Sequence, residues 1–240
     1  MSKKITCVDC DNASCFIKKH LDTDWLKKIE LKKIQIEHHT KDCLFREGGY
    51  VQGVFFIQRG NIKIVSKGAD NKEQIVRLAS EGVLGHRGFG DDKYPISAVA
   101  LSYSIVCFID NDILYDVFIN NPKFTLQMME FYSCELRKTE IRMKYLMQMN
   151  VKEKIAEALL SLKEVFGINQ FDKSLNVYLS RQEIAGMTGG TAEQITKGLG
   201  EFEKKKLIVK NGRKGIKLID ENGLREIVRK YGIQQYADQK

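Results

Sequence analysis

Leu179-Ser180-Arg181-Gln182-Glu183-Ile184-Ala185-Gly186-Met187-Thr188-Gly189-Gly190-Thr191-Ala192-Glu193-Gln194-Ile195-Thr196-Lys197 is the stretch whose reading decides the fold. Ser180 and Glu183 have the spacing of a capping box, in which two side chains three residues apart satisfy backbone amides left open at a helix start. The helix so opened stops at Gly189-Gly190, because glycine takes positive φ without a Cβ penalty. Thr191 and Gln194 repeat the box and open a second helix that buries Ile195, Leu199 and Phe202. Two helices across a tight glycine turn make a helix-turn-helix candidate. Behind it, Leu207–Lys210, the turn pair Asn211-Gly212 and Gly215–Ile219 read as a hairpin, the usual wing.

Working outward, Val151–Phe166 is an amphipathic helix carrying Ile155, Ala158, Leu159 and Leu162. Further upstream, Asn121-Pro122 supplies an N-cap and a first-turn proline, and no Gly or Pro follows until Gly167. A long helix is expected there. Met129, Tyr132, Leu136, Thr139, Met143 and Leu146 alternate in steps of three and four, the seam of a two-stranded coiled coil. The seam predicts a two-fold dimer; packing on the chain's own barrel is the alternative. From Leu44 to Ala100, short apolar alternations are punctuated by glycine: Val54–Ile57, Gly60-Asn61, Ile62–Val65, a polar turn and Glu73–Leu78. These are β-hairpins, and their spacing suggests a small antiparallel barrel or jelly roll. The fold class is therefore α+β. Four parts follow: a cysteine-containing segment over 1–20, a sensor barrel over 21–120, a dimerisation helix over 121–150 and a winged helix-turn-helix over 151–240.

The 240 residues are 43% hydrophobic and 29% charged, which excludes disordered and fibrous classes. Apolar runs such as Ile113–Phe118, broken by Asp116, are far shorter than a membrane span. The first residues show no apolar signal core, so a cytoplasmic chain is expected. Net charge is +8, and residues 171–240 hold 14 Lys/Arg against 9 Asp/Glu, so the carboxyl-terminal part is the basic one. No nucleophile–base–orienter grouping, P-loop or GxGxxG in a βαβ context is visible, so no enzyme is expected.

The chain resembles the Crp/Fnr family of bacterial transcription regulators over about residues 20–235. The motifs are Leu44-Phe45-Arg46-Glu47-Gly48, Ile57-Gln58-Arg59-Gly60-Asn61-Ile62-Lys63, Asn121-Pro122, and Leu179–Ala185 with Glu193-Gln194-Ile195-Thr196-Lys197. The resemblance implies a cyclic-nucleotide-binding-type barrel joined through a dimerisation helix to a winged helix-turn-helix. It implies palindromic double-stranded DNA and a second copy of the chain as partners, with RNA polymerase as a further candidate. Family members that bind cyclic AMP use a Glu for the ribose and an Arg before Ser-Ala for the phosphate. At the matching positions this chain has His86 and Ile96. An apolar Ile cannot neutralise a phosphate, so cyclic AMP in the usual pose is not expected. Another small-molecule effector is the runner-up.

Cys7, Cys10 and Cys15 read C-x2-C-x4-C, three soft ligands within one short loop. A fourth is needed for closure, and Cys107 lies at the end of the barrel. The layout resembles the oxygen-sensing Fnr branch, in which three amino-terminal cysteines and one from the barrel hold a 4Fe-4S cluster. That branch commonly has one more residue between its second and third cysteines. Zinc on the same thiolates, or unligated thiols, are the alternatives. Cys43 and Cys134 read as packed or partly exposed cysteines. His20, His38, His39 and His86 read as structural or solvated histidines, and no haem ligation follows from them. Because Cys107 is 15 residues before Pro122, ordering of the amino-terminal segment is expected to bias the start of the dimerisation helix. Thr139 leaves the seam uncharged, so metal-free dimers are expected to persist.

The candidate DNA-facing residues are Ser180, Arg181, Thr191, Glu193, Gln194, Thr196 and Lys197. Glu193 can accept from cytosine N4, Thr196 can reach a base or phosphate, and Lys197 can donate to guanine O6 or N7. In the family this trio resembles Glu-x-x-Ser-Arg, and a TTGAT-like half-site is what the family suggests. Lys204, Lys205, Lys206, Lys210, Arg213 and Lys214 read as solvated charge and phosphate contacts.

Overall fold

The computed structural model describes residues 5–68, 72–88, 90–212 and 215–231. Arg213 and Lys214 of the basic set lie outside the described residues, as do the two ends of the chain. The chain divides into two compact units, 1–67 with 77–133 and 68–76 with 134–240.

Eight strands form two antiparallel four-stranded sheets. One has the order β1 (Ile34–His38), β8 (Ser104–Asp110), β3 (Gly53–Arg59) and β6 (Val83–Leu84); the other β2 (Cys43–Phe45), β7 (Ser97–Ala100), β4 (Ile62–Lys67) and β5 (Glu73–Ala79). This is a jelly-roll arrangement of two sheets rather than a barrel closed by one continuous ladder. The β3–β4 turn needs glycine at position 60, where φ is 119° and a Cβ would collide with Ser104. Cys107 sits mid-strand on β8, opposite Gln35 of β1 on one side and Phe56 of β3 on the other.

Helices cover the β1-β8-β3-β6 sheet. α1 (Phe16–His20) and α2 (Thr23–Lys32) precede it; Asp22 caps α2 by accepting from the Trp25 amide at 3.0 Å. α3 (Asn111–Asn120) follows it, capped by Asp110 accepting from the Ile113 amide at 2.9 Å. α4 (Pro122–Gln148) then starts, with Asn121 accepting from the Phe124 amide at 3.0 Å. One apolar core runs through Ile17, Leu26, Ile29, Phe56, Ile109, Leu114, Phe124 and Met128, and partly buried Cys7, Cys15, Phe16 and Cys107 pack against it. Along α4 only Phe124 and Met128 are buried. Met129, Leu136 and Met143 of the seam are 62%, 62% and 59% exposed, Tyr132 and Thr139 are also exposed, and Leu146 is half-buried.

The second unit is built on α5 (Val151–Phe166), which opens with a reciprocal capping box between Asn150 and Glu153. It carries α6 (Arg181–Thr188), α7 (Ala192–Lys204), the antiparallel pair β9 (Ile208–Lys210) and β10 (Ile216–Leu218), and α8 (Glu221–Val228). Ile155, Leu159, Ile184, Ile195, Leu199 and Leu224 form its centre, each at most 1% exposed. α7 approaches α5 so closely that a Cβ on Gly198 would overlap Ile155 Cδ1.

Candidate metal centre and DNA interface

Cys7, Cys10 and Cys15, singled out by their spacing, and Cys107, expected as the fourth ligand, line one cavity, together with apolar Ile17, Ile29, Phe56, Ile57 and Ile109 and the polar Asn12, Lys18, Lys33, Gln35 and Gln58. Cys107 supplies the floor from β8, Cys15 stands at the start of α1, and Cys7 and Cys10 lie in the loop before it. All six cysteines are free thiols. Cys43, whose Sγ donates to the Phe45 carbonyl at 3.1 Å, and Cys134 on α4 are not part of the cavity. Among the described residues, no group of three or more His, Cys, Asp and Glu side chains is drawn in tightly enough to hold a single metal ion.

Polar side chains fix the loop. Asn12 Nδ2 donates to the Ile57 and Gln58 carbonyls at 2.9 and 3.0 Å, and its Oδ1 accepts from the Ser14 amide at 2.9 Å. Glu30 accepts from the Cys7 amide at 3.1 Å. Lys18 Nζ donates to the carbonyls of Val8 and Cys10, and Lys33 Nζ donates to the Ile5 carbonyl and to Cys7 Sγ. Burial pushes the Cys107 thiol up to about 12 against the opposing charge of Lys33. Burial also raises Cys15, although the Lys18 and Ile17 amides favour its thiolate. Burial works against the Lys33 charge, yet its hydrogen bond to Cys7 and the fields of Cys7, Cys107 and Glu30 outweigh it and raise its pKa. Ligation at Cys15 and Cys107 therefore means exchanging a proton for metal.

His86 occupies the position where cyclic-AMP binders carry their ribose-holding Glu. It is 4% exposed, its Nδ1 has no hydrogen-bond partner among the described residues, and burial, reinforced by Arg77 and Arg87, lowers its pKa to about 3. Its ring meets Phe131 and Tyr132 edge-on at 5.2 and 5.3 Å, and its carbonyl accepts from the Tyr132 hydroxyl at 2.7 Å. The imidazole is thus a neutral packed group at working pH.

In the second unit both expected capping boxes are formed. Ser180 and Glu183 bond reciprocally at the start of α6, Gly189 ends it in the left-handed region at φ 68°, and Thr191 and Gln194 bond reciprocally at the start of α7. The side chains of Ser180, Thr191 and Gln194 are therefore occupied in building the turn. Glu193, Thr196 and Lys197 are exposed on α7 opposite buried Ile195 and Leu199. The Thr191 hydroxyl donates to Glu193 and holds its carboxyl below the usual range, and Thr196 Oγ1 donates to the Ala192 carbonyl at 2.7 Å. Arg181 is half-buried near Gly212 and Gly215 of the wing hairpin, where a second cavity opens. Lys210 is paired with Glu203 at 2.7 Å, so of the basic set Lys204, Lys205 and Lys206 remain as exposed charge.

Comparison with known proteins agrees with this architecture. Residues 35–121 match the cyclic nucleotide-binding domain and residues 153–227 the Crp-like helix-turn-helix domain. The chain is 28% identical over 228 residues to the anaerobic regulatory protein of Haemophilus influenzae, spanning 93% of this chain and 88% of that one. It is 28% identical over 214 residues to the fumarate and nitrate reduction regulatory protein of Vibrio cholerae, spanning 87% and 85%. The structure of FixK2 from Bradyrhizobium japonicum superposes with a TM-score of 0.71 at 17% identity, covering 81% of this chain and 96% of that one. With a cyclic-nucleotide-binding-type jelly roll and a Crp-like helix-turn-helix in one chain, the protein belongs to the Crp/Fnr family of transcription regulators.

Proposed function

We propose that this regulator responds to oxygen or redox state through a 4Fe-4S cluster held by Cys7, Cys10, Cys15 and Cys107, and that cluster assembly biases a two-fold dimer towards palindromic DNA. The observation that carries the proposal is the shared cavity of the four thiols. Four soft thiol ligands lining one space suit iron–sulfur ligation, and the same thiolates could hold zinc. The relative named as an anaerobic regulatory protein supports the oxygen-responsive part of this reading. When bound, such a cluster supplies iron–thiolate ligation that oxygen dismantles. The chain's own residues do the rest: Asn12 and Glu30 hold the loop, Cys107 ties it to β8, and the shared core carries the ordering to Phe124 of α4. The exposed seam from Met129 to Leu146 offers a face to a second copy. At the DNA, Glu193, Thr196 and Lys197 read base edges and Arg181 with the Lys204–Lys206 run contacts phosphates. His86 and Ile96 in the nucleotide cassette disfavour cyclic AMP in the usual pose.

The test is iron, acid-labile sulfide and zinc content with an absorption spectrum on anaerobically prepared protein, followed by air. About four iron and four sulfide per chain, with a broad band near ~400 nm that bleaches, is the expected result. One zinc per chain, or no metal after anaerobic reconstitution, overturns the proposal and returns attention to a small-molecule effector.

A further inference from the structure

Two lysines from different helices reach the cysteine loop, and one reaches a sulfur. Lys33, the C-cap residue of α2, donates to Cys7 Sγ at 3.1 Å and to the Ile5 carbonyl at 2.9 Å. Lys18 of α1 donates to the Cys10 and Val8 carbonyls at 2.7 and 3.1 Å. Both line the same largely apolar cavity as the four thiols. Both ammonium groups are partly buried at the edge of this wall, where Glu30 already acts on Lys33 and further negative charge at the sulfurs would favour them. Four thiolates around an iron–sulfur core carry net negative charge, which the same apolar wall would otherwise leave uncompensated.

We propose that Lys33 is a charge-balancing and positioning residue for the cysteine centre, donating directly to the Cys7 sulfur, while Lys18 holds the Val8–Cys10 backbone from the other side. The proposal rests on the iron–sulfur reading given above. Hydrogen bonds to cluster sulfurs and local net charge set the potential of such centres, and partners that orient a ligand typically govern metal retention by about ten- to a hundredfold.

The experiment compares the full-length protein with Lys33→Met and Lys33→Arg after anaerobic reconstitution. Lys33→Met is expected to load iron and sulfide, to lose its absorption in air about tenfold faster, and to show a more negative reduction midpoint, because a positive charge beside the sulfur has gone. Lys33→Arg, which keeps the charge, is expected to stay close to the parent. In the metal-free protein, hydrogen exchange at the Cys7 to Cys10 amides is expected to speed up in Lys33→Met, a readout independent of the cluster. Lys33→Gln and Lys18→Met carry the same measurements should Lys33→Met not fold. If the parent loads iron but the neutral variants match it in air decay and midpoint, the role of Lys33 is overturned and the cluster stands. If the parent takes up no iron, both fall.

Discussion

Phe16 meets Phe124 edge to face, with ring centroids 5.5 Å apart and planes at 78°. Phe16 also meets Phe131 at 5.6 Å, and it directly follows Cys15. The residue next to one candidate ligand is thus wedged against two aromatic rings of α4, a shorter route to that helix than the chain path from Cys107 through α3 to Pro122. Such edge contacts contribute about 1 kcal/mol each beyond burial. Phe16→Leu is expected to leave iron uptake intact while shrinking the difference in DNA affinity between metal-loaded and metal-free protein, measured by fluorescence anisotropy on an operator duplex. An unchanged difference would show that coupling runs through Cys107 instead.

His86 predicts a pH dependence of stability. Its folded pKa of about 3 lies below the ordinary value of 6.5, so between these the unfolded chain binds the extra proton and stability rises with pH. Its contribution is neutral above pH 6.5 and increasingly destabilising as pH falls towards 3, about 2 kcal/mol by pH 5. Urea denaturation at pH 7 and pH 5 should show a smaller drop for His86→Gln than for the parent. An equal drop would assign the acid sensitivity elsewhere.

The close approach of α7 to α5 makes Gly198→Ala destabilising by about 1–3 kcal/mol through overpacking against Ile155. Ile155→Val removes the methyl in the way. Alone it should cost about 1 kcal/mol, yet combined with Gly198→Ala it should recover much of the loss. Thermal melts of the two single variants and the double variant test this non-additivity.

Lys197→Glu should abolish operator-specific binding without changing the melt, because Lys197 is exposed and none of the capping boxes uses it. Thr191→Ala should instead lower stability by about 1 kcal/mol, since Thr191 caps α7. If Lys197→Glu binds as the parent does, α7 does not read the DNA through this face.

Much of this architecture is visible in the chain because it is local. Both capping boxes, the Gly189 stop and the strands at Val54–Ile57 and Ile62–Val65 depend on residues a few positions apart. α2 and α3 were not legible: α2 buries only Leu26 and Ile29 among lysines, and the apolar run in α3 reads equally well as strand. At the candidate site the residue types pointed to four cysteines, but their shared cavity depends on the β1-β8-β3 register. Lys18, Lys33 and Phe16 gave no local signal for these roles, since Cys10, Cys7 and Phe124 lie eight or more residues away from them. The engagement of Thr191 and Gln194 in the reciprocal cap, by contrast, is readable from their spacing.

The floor of the cysteine cavity is a strand that is made well after the loop it closes. When Cys7, Cys10 and Cys15 leave the ribosome, Cys107 and its neighbours on β8 do not yet exist, and β8 finds its place only by pairing with β1 and β3, both made earlier. The fourth candidate ligand therefore joins the others only once β8 is paired, so a nascent or truncated chain ending before Ser104 carries only three of the four.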